Sequence, residues 1–306
     1  MRCEELAHIS EDGAALFLRR WSPESAPRGC VQIAHGLAEH SGRYGRLAER
    51  LNEAGYIVYA HDHRGHGHSA PSGGLGFFAE RAGWDACVGD LGSINRRIGA
   101  EHPGLPIAFV GHSMGSFMAQ DFVARAGDGL SALVLSGSNG APPAIAGLGR
   151  WIARFERMRL GPTGKSALLK KLMFGDFNKP FAPARTQFDW LSRDGAEVDA
   201  YVADPLCGFD FSTQLAIDLL DALRGLLAPE RLARIPKGLP ILILSGTRDP
   251  VGANLQGLID AYRNAGLNVA SKLYAEGRHE MLNETNREEV MSDLVAFLNG
   301  AMAQTA

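Results

Sequence analysis

Short apolar runs recur along the chain, and most are followed by a stretch whose apolar residues return every third or fourth position. The runs fall at 30–34, 56–60, 107–110, 132–135, 241–244 and 270–274; helical spacing appears at 44–54, 84–100, 116–125, 255–264 and 287–298. Runs that are apolar throughout predict strands buried on both faces, and the helices between them supply the crossovers of a mostly parallel sheet. Residues 7–21 differ: they alternate on either side of Asp12-Gly13, a turn pair suited to an antiparallel hairpin.

The rhythm breaks between about 140 and 237. That span shows no strand pattern but has helix-like stretches at 145–158, 166–174 and 214–227, bracketed by Pro and Gly at 139–143 and 236–240. It is too long for an ordinary loop. The expected organisation is an α/β core of 1–139 and 238–306, with residues 140–237 inserted between two strands as a helical cap over one edge of the sheet.

Composition supports a soluble globular protein with a sizeable core: 306 residues, 45% hydrophobic and 21% charged. The net charge of −3 gives no general pull toward nucleic acid. Residues 1–6 lack the apolar core of a secretory signal, and no segment approaches the roughly 20 apolar residues that span a bilayer. Cys3, Cys30, Cys87 and Cys207 are scattered without metal-ligand spacing. A cytoplasmic protein with reduced thiols is expected.

Chemistry enters at Gly111-His112-Ser113-Met114-Gly115, which follows one apolar run and leads into a helical stretch. A G-x-S-x-G at a strand-to-helix turn exposes the serine Oγ, whereas the same residues elsewhere are only a Gly-rich turn. In this arrangement the nucleophile is followed in the chain by an acid and then a histidine. Of ten histidines only His279 follows Ser113, just after the last apolar run. Asp249 is the first carboxylate past the run at 241–244; the loop after 132–135 holds none. Ser113, Asp249 and His279 are therefore the expected triad. Backbone N–H groups of Leu37, in the loop after 30–34, and of Met114 are the expected oxyanion donors.

Two further segments carry a choice of readings. His61, His63, His66 and His68 lie within eight residues, which suggests a metal site. The intervening Arg-Gly-His-Gly turn breaks any regular ligand ladder, and a side-chain network bracing that turn is the reading taken. From 144 to 178, seven basic residues stand against two acids, interleaved with Trp151, Phe155, Leu168, Leu172 and Phe174. This is either an interfacial amphipathic surface giving peripheral membrane contact or a solvated basic face over packed apolar residues. Phe155, Leu172, Phe174, Phe177 and Phe181 are the expected walls of an acyl pocket.

Taken together, 35–44 (HGLAEHSGRY), 62–69 (DHRGHGHS), 111–115 (GHSMG), 246–249 (GTRD) and His279 resemble the monoacylglycerol lipase and lysophospholipase-like branch of the α/β-hydrolases, from about residue 25 to 300. The resemblance implies an α/β-hydrolase fold, a Ser-Asp-His triad, no cofactor, and an alcohol side lined by Glu39 and Arg43. Leu282 stands where a polar residue is common near the glycerol end, which loosens any strict monoacylglycerol preference. The expected function is hydrolysis of monoacylglycerol-like or other short- to medium-chain acyl esters through a Ser113 acyl-enzyme. A lysophospholipase, thioesterase, peptidase or inactive binding protein on the same scaffold are the alternatives.

Overall fold

In a computed structural model, which describes residues 2–71, 74–140 and 146–303, the chain opens with a hairpin of β1 (Arg2–Ile9) and β2 (Ala15–Ser22). Its Asp12-Gly13 turn puts Gly13 at φ 86° and pairs Ile9 with Ala15. There follow β3 (Gly29–Ala34), α1 (Gly45–Glu53), β4 (Tyr56–His61), α2 (Gly83–Glu101), β5 (Ile107–His112), α3 (Met114–Ala126) and β6 (Ala132–Ser136). Then α4 (Ala146–Leu160), α5 (Ala167–Phe174), α6 (Gly195–Ala203), α7 (Thr213–Gly225) and α8 (Pro229–Leu232) precede β7 (Ile241–Gly246). The chain closes with α9 (Leu255–Asn264), β8 (Val269–Tyr274) and α10 (Arg287–Met302).

All eight strands form one sheet in the order β1-β2-β4-β3-β5-β6-β7-β8. β2 runs antiparallel to both neighbours, and β4 through β8 are mutually parallel. The period-2 geometry of a strand sorts its side chains onto two faces. Phe109, Leu133, Leu135, Ile241 and Ile243 pack toward α2, α3 and α9. Ala108, Val110, Val134, Leu242 and Leu244 pack toward α1 and α10. Both faces are thus apolar, as the unbroken runs in the sequence require, and the architecture is that of an α/β-hydrolase.

Register brings the strand-end loops together. Ala34 pairs with Gly111, so the loop after β3 leaves the sheet beside Ser113. Gly246 pairs with Tyr274, so the loops after β7 and β8 emerge side by side.

Between β6 and β7 the described residues hold these five α-helices, a short 3-10 helix at Lys179–Phe181 and one isolated bridge, Lys165 to Ser212. Residues 141–145, part of the Pro/Gly bracket and the first residue of the helix expected at 145–158, lie outside the described residues. Helix α6 has no counterpart among the expected helices. It buries only Val198 and Tyr201, too few positions for a visible period, and is started by the Asp194 carboxylate accepting from Ala196 N at 3.0 Å.

Candidate active site

Ser113 occupies a turn between β5 and α3 at φ 52°, ψ −121°, a conformation that costs a non-glycine residue about 1–3 kcal/mol. The neighbouring glycines make the turn possible. A Cβ on Gly115 would lie 2.2 Å from Ala34 O, and one on Gly111 would lie 2.6 Å from Gly115 O. Ser113 N donates to Ser136 O at 2.9 Å, and Ser116 N and Phe117 N return to Ser113 O at 2.8 and 3.2 Å. Met114 opens α3, in the first turn, where N–H groups have no acceptor within the helix. Leu37 comes from the adjoining loop and lines the same cavity as Ser113.

His279 and Asp249 arrive from the next pair of strand ends. His279 Nδ1 lies 2.9 and 3.0 Å from the two Asp249 oxygens, and the residues are 2% and 7% exposed. Gly246 permits this approach, because a Cβ there would stand 2.0 Å from Gly277 O. Val251 N donates to Asp249 Oδ1 at 2.8 Å, fixing the carboxylate. Burial alone would lower the His279 pKa, but the charge and hydrogen bond of Asp249, with Glu280 and Glu39 beyond, outweigh it and raise the value above 6.5. His112, whose ring lies 4.8 Å from His279, is pushed down to about 4 by burial and by that neighbour.

Ser113 and His279 share the wall of a cavity of about 360 Å³, within the range of small-molecule sites. Of the residues expected to bind substrate, Glu39 and Phe174 line it together with Leu37. The others do not. Phe155 and Leu172 face outward at 61% and 55% exposure, as do Leu148, Trp151, Met158 and Leu168. The helical period puts Leu148, Trp151, Phe155 and Met158 on one face of α4, while Ala153 and Glu156 face inward. Phe177 stands behind the wall, edge-on to Phe174 and Trp190. Phe181 is covered by the Arg278 guanidinium at 4.2 Å. Arg43 is held between Glu39 and Glu280 rather than presented to the cavity.

Apolar side chains that the sequence did not single out complete the wall: Phe188, Trp190, Leu191, Tyr201, Phe209 and Phe211. They lie on irregular segments or on the short α6, where no hydrophobic period marks them. The backbone explains their placement. His279 N donates to Trp190 O at 3.3 Å and Glu280 N to Leu191 O at 2.7 Å. Fully buried Glu284 accepts from Arg278 N, Arg193 N and Arg193 Nε at 2.9, 3.1 and 2.8 Å. Residues 189–193 of the insertion are thereby bonded to the histidine loop itself.

Of the histidine-rich segment, His61, His63 and His66 form a buried network with His35, while His68 is exposed. His63 N donates to His35 Nε2 at 2.9 Å, His63 Nδ1 lies 3.0 Å from His61 Nε2, and His66 Nδ1 lies 2.9 Å from Arg64 O. Among the described residues the one group with metal-ligand proximity is elsewhere, at His40, Asp204 and Cys207. Both nitrogens of His40 are already engaged there, by Gly42 N and Asp204, so the group ties two loops together. No helix among the described residues is long and apolar enough to cross a membrane.

The family model described as serine aminopeptidase, S33 matches residues 25–286. A monoacylglycerol lipase of Mycolicibacterium smegmatis is 32% identical over 297 residues, covering 94% of this chain and 93% of the relative. The monoglyceride lipase of Homo sapiens is 31% identical over 253 residues, 80% of this chain and 74% of its own length. A solved structure of a highly thermostable carboxyl esterase from Bacillus coagulans, in complex with glycerol, superposes with a TM-score of 0.91 at 29% identity over 99% of both chains.

Proposed function

The chain belongs to the family described as serine aminopeptidase, S33, and within it we propose that this protein is a carboxylic ester hydrolase working through an acyl-enzyme on Ser113. Neutral His279 takes the Ser113 Oγ proton through Nε2 as the oxygen attacks the ester carbonyl. Asp249 holds the tautomer with its proton on Nδ1 and stabilises the imidazolium that forms. The tetrahedral oxyanion is met by the N–H groups of Leu37 and Met114. His279 then returns the proton to the leaving alcohol, and water repeats the sequence to release the acid. In this reading 140–237 caps a core of 1–139 and 238–306.

One observation carries the choice of substrate. The cavity beside Ser113 is walled by aromatic and aliphatic side chains, and each carboxylate lining it already has a cationic partner. Glu39 and Glu280 bind Arg43, and Asp210 binds Lys170 at 2.6 Å. An aminopeptidase needs a carboxylate for the free amine of its substrate, whereas an acyl ester needs only the apolar wall. Similarity to relatives named monoacylglycerol lipase and carboxyl esterase supports monoacylglycerol-like and other short- to medium-chain esters as the substrate class.

The test is kcat/KM across p-nitrophenyl esters of rising chain length, with aminoacyl p-nitroanilides and matched mono-, di- and triacylglycerols alongside. Each buried methylene is expected to raise kcat/KM by up to about fourfold until the pocket is full, with monoacylglycerol favoured over triacylglycerol. A flat profile, or faster turnover of the aminoacyl anilides, would reject the substrate assignment. The same reading puts the outward apolar residues of α4, beside the exposed Arg154 and Arg159, against an anionic bilayer.

A further inference from the structure

Arg43, whose side chain is 11% exposed, makes three bonds to two buried carboxylates. Its Nη1 donates to Glu39 Oε2 at 2.8 Å and to Glu280 Oε1 at 2.6 Å, while Nη2 donates to Glu280 Oε2 at 2.7 Å. Its guanidinium lies 4.9 Å over the Tyr201 ring. The two carboxylates lead to opposite sides of the site. Glu39 Oε1 accepts from Gly36 N and from Tyr44 OH, fixing the loop that carries Leu37. In that loop a Cβ on Gly36 would lie only 3.2 Å from Ser113 Cβ. Glu280 is the residue after His279, and its own N–H is bonded to Leu191 O. Tyr201 OH closes the circuit by donating to Ala38 O at 2.8 Å.

Two buried carboxylates share one guanidinium here, so neither is left as an isolated acid in the interior. Burial by itself would raise the Glu280 carboxyl, but Arg43 overrides this and holds it below its usual range. The fork of Arg43 also fixes geometry, since a bidentate pair tolerates little rotation. Lysine supplies a point charge without that fork.

We propose that Arg43 is a positioning residue: by gripping Glu39 and Glu280 at once, it sets the spacing between the oxyanion loop and the loop that carries His279. The inference rests on the reading of Ser113, Asp249 and His279 as the reacting groups. It assigns Arg43 a task other than lining the alcohol side. Misplacing either loop by about 1 Å harms the transition state far more than substrate binding, and is worth about 10²-fold in rate.

The experiment compares wild type, Arg43→Met, Arg43→Lys and Glu280→Gln on p-nitrophenyl butyrate, with thermal melts to confirm folding. Arg43→Met is expected to lose about 10²-fold in kcat with KM little changed, and Arg43→Lys to recover only part of the loss. Glu280→Gln is expected to move the acidic limb of kcat/KM to lower pH, because a charge that favours the protonated His279 is gone. A folded Arg43→Met that keeps kcat, or that changes KM alone, would overturn the proposal. Should Arg43→Met fail to fold, Glu280→Gln decides, and an unmoved limb with unchanged kcat rejects it. Fluorophosphonate labelling of wild type but not Ser113→Ala tests the underlying triad separately; an unlabelled wild type removes that reading, and the inference with it.

Discussion

At Ser113 the backbone is held at positive φ by a strand before it, a helix after it and two glycines that leave no room for a side chain. Removing Oγ disturbs none of these supports. Ser113→Ala is therefore expected to lower ester hydrolysis by at least about 10³-fold while its melting temperature stays at the wild-type value. Activity above about 1% would point to another nucleophile. The pH profile follows from His279. In the proposed mechanism its neutral form is the base, and its pKa is raised above 6.5, so kcat/KM should rise with pH through a midpoint above 6.5. A midpoint at or below 6.5 would mean that Asp249, Glu280 and Glu39 do not act on His279 as placed. Ser113, Asp249 and His279 could be picked as candidates from the sequence because chain order and strand ends leave one histidine and one acid in position. The structure puts Asp249 against His279, and Ser113 and His279 on one cavity wall. Trp190, whose ring lies 5.0 Å from His279, could not be picked. It sits on an irregular segment, and only the bond from His279 N to its carbonyl brings it there.

At the scale of elements, the strands could be read because a run of apolar residues without a polar break fits only a strand covered on both faces. Helices of the insertion were harder. An apolar period shows that a face exists but not what it meets, and in α4 the large residues Leu148, Trp151, Phe155 and Met158 turn away from the protein. Small Ala153 and paired Glu156 turn inward instead. Phe155 and Leu172 were expected to be pocket walls for that reason, and the structure moves them to the surface. That surface carries a prediction. Trp151→Ser combined with Phe155→Ser should abolish co-sedimentation with vesicles of anionic phospholipid, at unchanged kcat/KM for a soluble short-chain ester. Wild-type binding no stronger to anionic than to zwitterionic vesicles would leave the basic residues as a solubilising face only.

For the whole molecule, the buried histidines set a limit on acid tolerance. His61, His66 and His112 are pushed down to about 4 by burial, and His35 and His63 lie well below 6.5 for the same reason. The unfolded chain takes up these protons near pH 6.5 and the folded one does not, so stability is complete above that value and falls as pH drops. Each of these buried, neutral imidazoles therefore works against the fold as the medium turns acid, and they act in the same direction. His279, with its raised pKa, acts in the opposite sense, stabilising the fold below 6.5 and losing that contribution as pH rises, but it is one group against several. Urea melts at pH 7.5, 6.5 and 5.5 should show a midpoint that is steady and then drops sharply; a midpoint unchanged at 5.5 would contradict the burial of this cluster. The bonds from residues 189–193 to the loop of His279 have a different consequence, for engineering. A chimera that replaced only 140–237 with the corresponding stretch of a relative would exchange, along with the new specificity, one of the surfaces on which the loop of His279 rests. Grafts that carry residues 278–284 together with the transplanted helices keep donor and recipient hydrogen bonds in register, and those are the ones to build.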